Sequence, residues 1–267
     1  MEITKEDKQQ FKQACDKIIA KERERFGIGT LSEKTVHAVL KNYLVPKAEY
    51  HEQKCEGYVA DIFYEGEIME IQTAGFDKLR RKLDAFLPKY EVTIVYPIPA
   101  AKWLYWIDEE TGELSPKRKS NRKGSCYQVF PELYKIKMYL KNPHLHLRLL
   151  LMDMEEYRLL NGWNESKKKG ASRFDRIPIA LQDDILINTP AEYSLFLPEE
   201  LPEEFTSADY KKVTKLTLGK AQTALNILTY LEIVERIGKS GHSILYTKKR
   251  LPQKRKRVYT ITKALQK

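Results

Sequence analysis

An acidic pair inside an apolar hairpin constrains this chain more than any other feature. Residues 57–76, GYVADIFYEGEIMEIQTAGF, predict two strands joined by a turn at Glu65–Gly66, since glycine tolerates the positive φ of a tight turn. In that register Asp61 lies opposite Glu70, with the two Cβ atoms about 5 Å apart, and Gln72 projects from the same face. Opposed like charges among apolar residues are unfavourable unless a cation neutralises them. The other interpretation is an exposed edge hairpin with solvated acids, which a register shift of one residue would produce.

A divalent metal site explains the acidic pair most directly. Two carboxylates, completed by water and a substrate phosphate, are the hard oxygen ligands that suit Mg²⁺ or Mn²⁺. Such an ion activates water and stabilises developing charge in phosphodiester cleavage. The predicted catalytic residues are therefore Asp61, Glu70 and Gln72.

The pattern Asp61-x8-Glu70-x-Gln72, set between two helices and before a further strand, resembles the PD-(D/E)XK (restriction-endonuclease-like) nuclease superfamily. The core of that family runs helix, β-meander, helix, strand, and the resemblance covers roughly residues 30–100. The predicted elements that match this order are a helix at 31–44, strands near 49–55, 58–64 and 67–73, a helix at 76–87 and a strand at 91–97. The resemblance implies an α/β fold with a mixed sheet. The chain also resembles uncharacterised bacterial proteins that share the segments around VADI and EIQT.

The resemblance assigns roles to individual residues. Asp61 and Glu70 would bind the metal, the main-chain carbonyl of Ile71 could face it, and Glu33 on the first helix is a candidate third ligand. Thr30-x-x-Glu33 also fits a capping box, which would give Glu33 a structural role instead. The usual lysine of the family is Gln72 here, and a neutral amide can only orient water or substrate by hydrogen bonding. Lys78 on the following helix is the nearest lysine that could replace it.

Basic residues on the helix at 76–87 are expected to face outwards, where they could contact nucleic acid. These are Lys78, Arg80, Arg81 and Lys82, of which Lys78 and Arg81 are the chosen candidates. The segment 117–123, KRKSNRK, has five basic residues in seven and predicts either a solvated hairpin tip or a phosphate contact. Trp103, Tyr105 and Trp106 could stack on bases, although packing is the commoner use of such a run.

The C-terminal part has the pattern of a winged helix. Short helices at 190–197, 206–215 and 218–231 precede a hairpin with a turn at Lys239–Gly241. The predicted nucleic-acid contacts on this unit are Lys220, Thr223 and Asn226 on its last helix and Lys239, His242, Lys248 and Lys249 on its wing. Winged helices also serve protein contacts, so that alternative stays open.

Charge is concentrated at the C-terminus. Nine of the 47 basic residues lie in 248–267, which holds no acid, so the preceding 247 residues are nearly neutral. Such a tail suits a polyanion, most simply nucleic acid, or serves as a solubilising tail. Residues 161–176 are polar and basic and predict a linker or exposed loop. The expected domains are therefore a nuclease-like domain at 1–175, a winged helix at 188–250 and a basic tail at 251–267.

Three sparse cysteines, no signal peptide and no apolar run long enough to span a bilayer predict a cytoplasmic protein without a membrane partner. The expected partner is double-stranded DNA, and the resemblance allows a homodimer that cuts both strands. The predicted function is a metal-dependent DNA nuclease. The alternative is a DNA-binding protein or transcription regulator whose nuclease-like fold is inactive.

Overall fold

The computed structural model describes residues 3–26, 34–163 and 169–249. Six α-helices lie in this part of the chain: α1 (Lys5–Phe26), α2 (Lys34–Leu44), α3 (Arg80–Phe86), α4 (Phe130–Lys135), α5 (Ser207–Thr214) and α6 (Leu218–Tyr230). Ten strands accompany them: β1 (His51–Cys55), β2 (Tyr58–Tyr64), β3 (Glu67–Ile71), β4 (Glu91–Asp108), β5 (Arg118–Lys119), β6 (Leu145–Trp163), β7 (Lys169–Ile187), β8 (Glu204–Thr206), β9 (Val234–Ser240) and β10 (Ser243–Lys248). The fold is therefore mixed α and β, as the sequence predicts.

One large mixed sheet organises the chain up to Ile187. Its strand order is β1-β2-β3-β4-β6-β7, and β5 pairs with β4 outside that path. The β1-β2-β3 meander is antiparallel, β3, β4 and β6 run parallel, and β7 returns antiparallel to β6. Helix α3 provides the crossover that parallel strands β3 and β4 require.

The hairpin β2–β3 has the register that the sequence predicts. Glu65 and Gly66 both adopt positive φ, 49° and 84°, which is the geometry of a two-residue hairpin turn. Tyr64 then pairs with Glu67, and Ile62 pairs with Met69. Because the register holds, the acids of the two strands come together at the end of this ladder.

Helices cover both faces of the large sheet. Helices α1 and α2 pack on one face, where Phe11, Val39 and Leu40 meet Ile62 and other strand residues. On the opposite face α3 and α4 pack over Ile68, Val92 and Ile94, together with the C-terminal unit. Strand β3 is buried on both faces from Ile68 to Ile71, as is usual in a sheet covered on both sides, and Glu70 is the acid within that buried stretch.

The long strands β4, β6 and β7 remain paired along most of their length, with Asp108 opposite Leu160 and Trp163 opposite Lys169. Residues 161–163 and 169–176, for which the sequence predicts a linker or loop, belong instead to β6 and β7. The strand that the sequence predicts at 91–97 continues through residues 102–107, so that β4 ends at Asp108.

The C-terminal unit (residues 190–249) combines a 3-10 helix at Pro190–Phe196, α5, α6 and a small antiparallel sheet of order β8-β10-β9. Thr206 caps α5 through a capping box with Asp209. The unit shares its apolar core with the large sheet, since Phe196 packs on Phe130 with a ring separation of 4.8 Å. Within the described ranges, no helix has the length and apolar character needed to cross a membrane.

Candidate active site

Asp61 and Glu70 lie at the end of the β2–β3 ladder. Beyond the Ile62–Met69 pair, the two strands no longer form a regular ladder. The Asp61 carboxylate occupies this position, and its Oδ2 accepts a hydrogen bond from the Ile71 main-chain nitrogen at 2.8 Å. The Asp61 side chain is thus fixed against the strand that carries Glu70.

Glu70 is a buried acid, with 3% of its surface exposed. Burial, together with the neighbouring Asp61 charge, raises the pKa of Glu70 from 4.5 to about 7, a net shift that Lys82 makes smaller. The Glu70 side chain is thus almost completely shielded from solvent on β3. Its charged form is unfavourable in that position. A buried acid with a strongly shifted pKa beside a second acid is typical of functional sites.

Lys82 on α3 neutralises Glu70. Its Nζ lies 2.9 Å and 2.7 Å from the two carboxylate oxygens, and it donates a third hydrogen bond to the Val59 carbonyl at 2.7 Å. The expectation that Lys82 faces outwards is therefore wrong. Lys82 lies three residues after Leu79 and four before Phe86, so it belongs to the inward-facing helical stripe, and that spacing could have identified it.

The residues chosen instead of Lys82 lie outside this ion pair. Gln72 follows β3, and its side-chain amide donates to the Ala74 carbonyl within the same turn. Lys78 is exposed, and its side chain passes close to Gly75 and the Gln72 amide. Arg81 is exposed on the outer face of α3. The Gln72 and Lys78 side chains therefore lie by the turn around Gly75, and Lys82 makes the direct contact with Glu70.

His37 on α2 reaches the same strand end from the other face of the sheet. Its Nε2 lies 2.9 Å from the Ile71 carbonyl oxygen, the atom that the resemblance offered as a metal-facing group. The sequence pattern does not indicate His37 as a residue of the site. Glu33, the candidate third metal ligand, lies outside the described residues.

The donor set fits a magnesium ion better than a transition metal. Across the described ranges, no three His, Cys, Asp or Glu side chains converge into a metal-binding group. Mg²⁺, however, commonly uses only one or two protein carboxylates and completes its shell with water and phosphate. Asp61 and Glu70 supply those oxygens, provided that Lys82 yields part of its contact with Glu70.

The last helix of the C-terminal unit is largely enclosed. Lys220 is exposed near its start, whereas the Thr223 hydroxyl donates to the Gly219 carbonyl at 2.9 Å. The Asn226 side-chain oxygen accepts a hydrogen bond from Lys137, beyond α4, at 3.1 Å. Of the three α6 residues predicted to contact nucleic acid, only Lys220, in the first turn, is therefore exposed to solvent.

The selected wing residues divide into two groups. Lys239 and His242 are exposed around the β9–β10 turn. Lys248 donates to the Leu201 carbonyl at 3.0 Å, and Lys249 pairs with Glu232 at 3.3 Å. The turn is thus open to a partner, while the two lysines hold the unit together. The basic tail at 251–267 lies outside the described residues.

Comparison with known proteins places this arrangement in a family. A family model described as "Domain of unknown function (DUF8091)" matches residues 34–188, which include both acids and Lys82. The chain is 27% identical over 228 residues to an "Uncharacterized protein" of Treponema pallidum (strain Nichols), covering 83% of this chain and 87% of the relative. No solved structure matches it significantly. Since the family model spans more than half of the sequence, the chain belongs to the DUF8091 family.

Proposed function

We propose that this protein is a metal-dependent nuclease that cleaves DNA phosphodiester bonds at the site formed by Asp61, Glu70 and Lys82. One observation carries the proposal: a lysine from the next helix contacts both oxygens of a buried acid that lies beside a second acid. Two acids and a lysine are the set that the resemblance to PD-(D/E)XK nucleases calls for. Lys82 would fill the role that Gln72 leaves vacant in the sequence motif.

The element order supports the same proposal. Helix α2, the meander β1-β2-β3, helix α3 and the parallel strand β4 follow each other in the order of a restriction-endonuclease-like core. The acids stand on the second and third meander strands, and the lysine stands on the helix that follows. The C-terminal unit, with two helices followed by a β-hairpin, has the order of a winged helix. Its exposed turn at Lys239–His242 would contact DNA.

Each residue of the site has a task that follows from its chemistry. Asp61 and Glu70 would hold Mg²⁺ through carboxylate oxygens, and the bound ion would supply charge stabilisation for the phosphoryl transition state. Lys82 is a cation within hydrogen-bond distance of Glu70, so it would keep that carboxylate in place and stabilise developing negative charge beside it. Gln72 directly follows β3 and would orient the phosphate through its side-chain amide.

A second function has its own supporting observation. Lys82 contacts both carboxylate oxygens of Glu70 and can balance its charge, so Glu70 and Lys82 can form a purely structural ion pair beside Asp61. The protein would then bind DNA without cutting it, as a transcription regulator does. The two functions differ in their dependence on metal and on Asp61.

Nicking of supercoiled plasmid with Mg²⁺ or Mn²⁺ tests the proposal. We expect cleavage by the wild type that EDTA abolishes and that Asp61→Asn and Lys82→Met each lower by at least roughly a hundredfold. Lys78→Met is the matched control, because Lys78 lies one helical turn earlier and makes no contact with Glu70; it should retain most activity. Equal losses for Lys78→Met and Lys82→Met would contradict the assignment of Lys82. DNA binding without cleavage, unchanged by EDTA, would favour the regulator.

A further inference from the structure

A row of basic residues lies on the same edge of β4 as the acidic site. We call residues 117–123 the basic edge segment; its five basic residues are Lys117, Arg118, Lys119, Arg122 and Lys123, and all are exposed. The sequence alone leaves this segment as either a solvated hairpin tip or a phosphate contact. The position of the segment in the sheet distinguishes between these two alternatives.

The basic edge segment is not a hairpin tip, because it runs antiparallel along β4. The Ser120 nitrogen donates to the Lys102 carbonyl at 2.8 Å, and Lys119 pairs with Trp103. The following residue, Gly124, donates to the Ala100 carbonyl at 3.0 Å. A Cβ on Gly124 would lie 2.1 Å from the Pro99 carbonyl oxygen, so the backbone there is pressed against β4. The cations are therefore carried on an ordered strand edge.

The edge of β4 that carries this segment is the one that carries β3. Strand β6 pairs with one edge of β4 from Val92 to Asp108. Strands β3 and β5 must therefore both pair with the other edge of β4, one after the other. Ile71, at the acidic site, lies opposite Val95 of β4, and Lys119 lies opposite Trp103 of β4. On β6, Val95 pairs with Arg148 and Trp103 pairs with Glu155. The seven residues from Arg148 to Glu155, at about 3.3 Å each, place Ile71 and Lys119 about 23 Å apart along the sheet.

The charges of the segment are unbalanced. Lys117 pairs with Glu155 at 2.8 Å and, like Lys119, lies over the Trp103 ring. Arg118, Arg122 and Lys123 have no acidic partner within the described part of the chain. Three exposed cations on a fixed strand edge form a surface complementary to a polyanion.

We propose that the basic edge segment binds the phosphate backbone of duplex DNA on one side of the acidic site. The separation of about 23 Å corresponds to about seven base pairs at 3.4 Å each. This inference rests on the proposed function, which places the scissile phosphate at Asp61 and Glu70. It assigns the DNA track to the large sheet, in addition to the C-terminal unit.

Binding of a labelled DNA duplex in EDTA, followed by fluorescence anisotropy over a range of salt concentrations, tests the proposal without cleavage. The variant Arg118→Gln/Arg122→Gln/Lys123→Gln should bind at least about tenfold more weakly, and its salt slope should fall by about 2.7 because three phosphate contacts are lost. The matched control is Lys8→Gln/Lys12→Gln/Lys17→Gln, which removes the same charge from exposed positions on α1. Its salt slope should equal that of the wild type. Circular dichroism confirms that both variants are folded.

Equal slopes for the two triple variants would overturn the proposal, as would the absence of DNA binding by the wild type. Tighter segment-dependent binding of an RNA duplex or of polyglutamate would overturn the assignment of DNA as the occupant. The proposed function can fail separately: segment-dependent binding by a protein that never nicks plasmid would retain the DNA track and remove the nuclease. If the segment variant still cleaves plasmid and its DNA binding has an unchanged salt slope, the nuclease is retained and the DNA track is removed.

Discussion

Replacing Glu70 with glutamine should make the stability of this protein respond to pH in a specific way. Burial and Asp61 raise the pKa of Glu70 from 4.5 to about 7, so the folded protein holds this proton where the unfolded chain has released it. The wild type therefore loses stability as the pH rises from about 4.5 to about 7. A shift of this size corresponds to about 3 kcal/mol. Glutamine does not titrate, so the stability of Glu70→Gln relative to the wild type should improve by up to about 3 kcal/mol between pH 4.5 and pH 8.

Urea denaturation of both proteins at several pH values measures this difference. Ile68→Val is the matched control, since Ile68 lies two residues earlier on β3 and is fully buried. That change removes one methylene from the core, costs about 1 kcal/mol and adds no titrating group, so its effect should be constant with pH. A stability difference between Glu70→Gln and the wild type that stays constant over the same range would refute the buried-acid interpretation.

Two further changes test the fold that carries the site. Glu156 is buried beside Lys102, Arg158 and Arg176; burial alone would raise its pKa, but these cations lower it to about 2. Its ionised form therefore stabilises the protein above about pH 4.5. Glu156→Gln should lower the free energy of unfolding by about 3 kcal/mol at pH 7. In urea denaturation, the difference in stability between this variant and the wild type should shrink as the pH falls towards 2. Gly124→Ala should lower the free energy of unfolding by at least about 2 kcal/mol, because its Cβ would overlap the Pro99 carbonyl; Gly238→Ala, with no atom within 4 Å, should be nearly neutral.

The hairpin could be predicted because local sequence determines it. Glu65–Gly66 forms a two-residue turn, and such a turn sets the register in which Ile62 pairs with Met69 and Phe63 with Ile68. The opposed acids follow from that register. For the same reason, the capped helix α5 and the β9–β10 hairpin were found close to their observed bounds.

Lys82 was missed because the choice of a lysine rested on distance along the chain rather than on helical phase. Lys78 is nearer in sequence to Gln72, but Lys82 shares the buried stripe of Leu79, Leu83 and Phe86. A charged residue within such a stripe requires a partner, and Glu70 is that partner. Helical periodicity contained this information.

Other features depend on contacts between distant parts of the chain. The sequence predicts that Asn226 faces outwards from α6. In the structure α4 packs on that side, and Lys137 donates a hydrogen bond to the Asn226 side-chain oxygen. Residues 161–163 and 169–176 read as part of a linker because they are mostly polar or basic, yet β6 and β7 pair there, with Gly162 opposite Gly170. No local pattern reveals that a helix face is covered or that two polar segments pair.

Calorimetric titration of Mn²⁺ tests the central claim most directly, because it measures occupancy of the acidic site without relying on cleavage. The nuclease account predicts binding to the wild type that strengthens as the pH rises through about 7, where Glu70 becomes ionised. It also predicts loss of that binding in Asp61→Asn and Glu70→Gln, and its retention in Ile68→Val. No binding by the wild type, or equal binding by all four proteins, would contradict the account and leave Asp61, Glu70 and Lys82 as a structural ion-pair cluster.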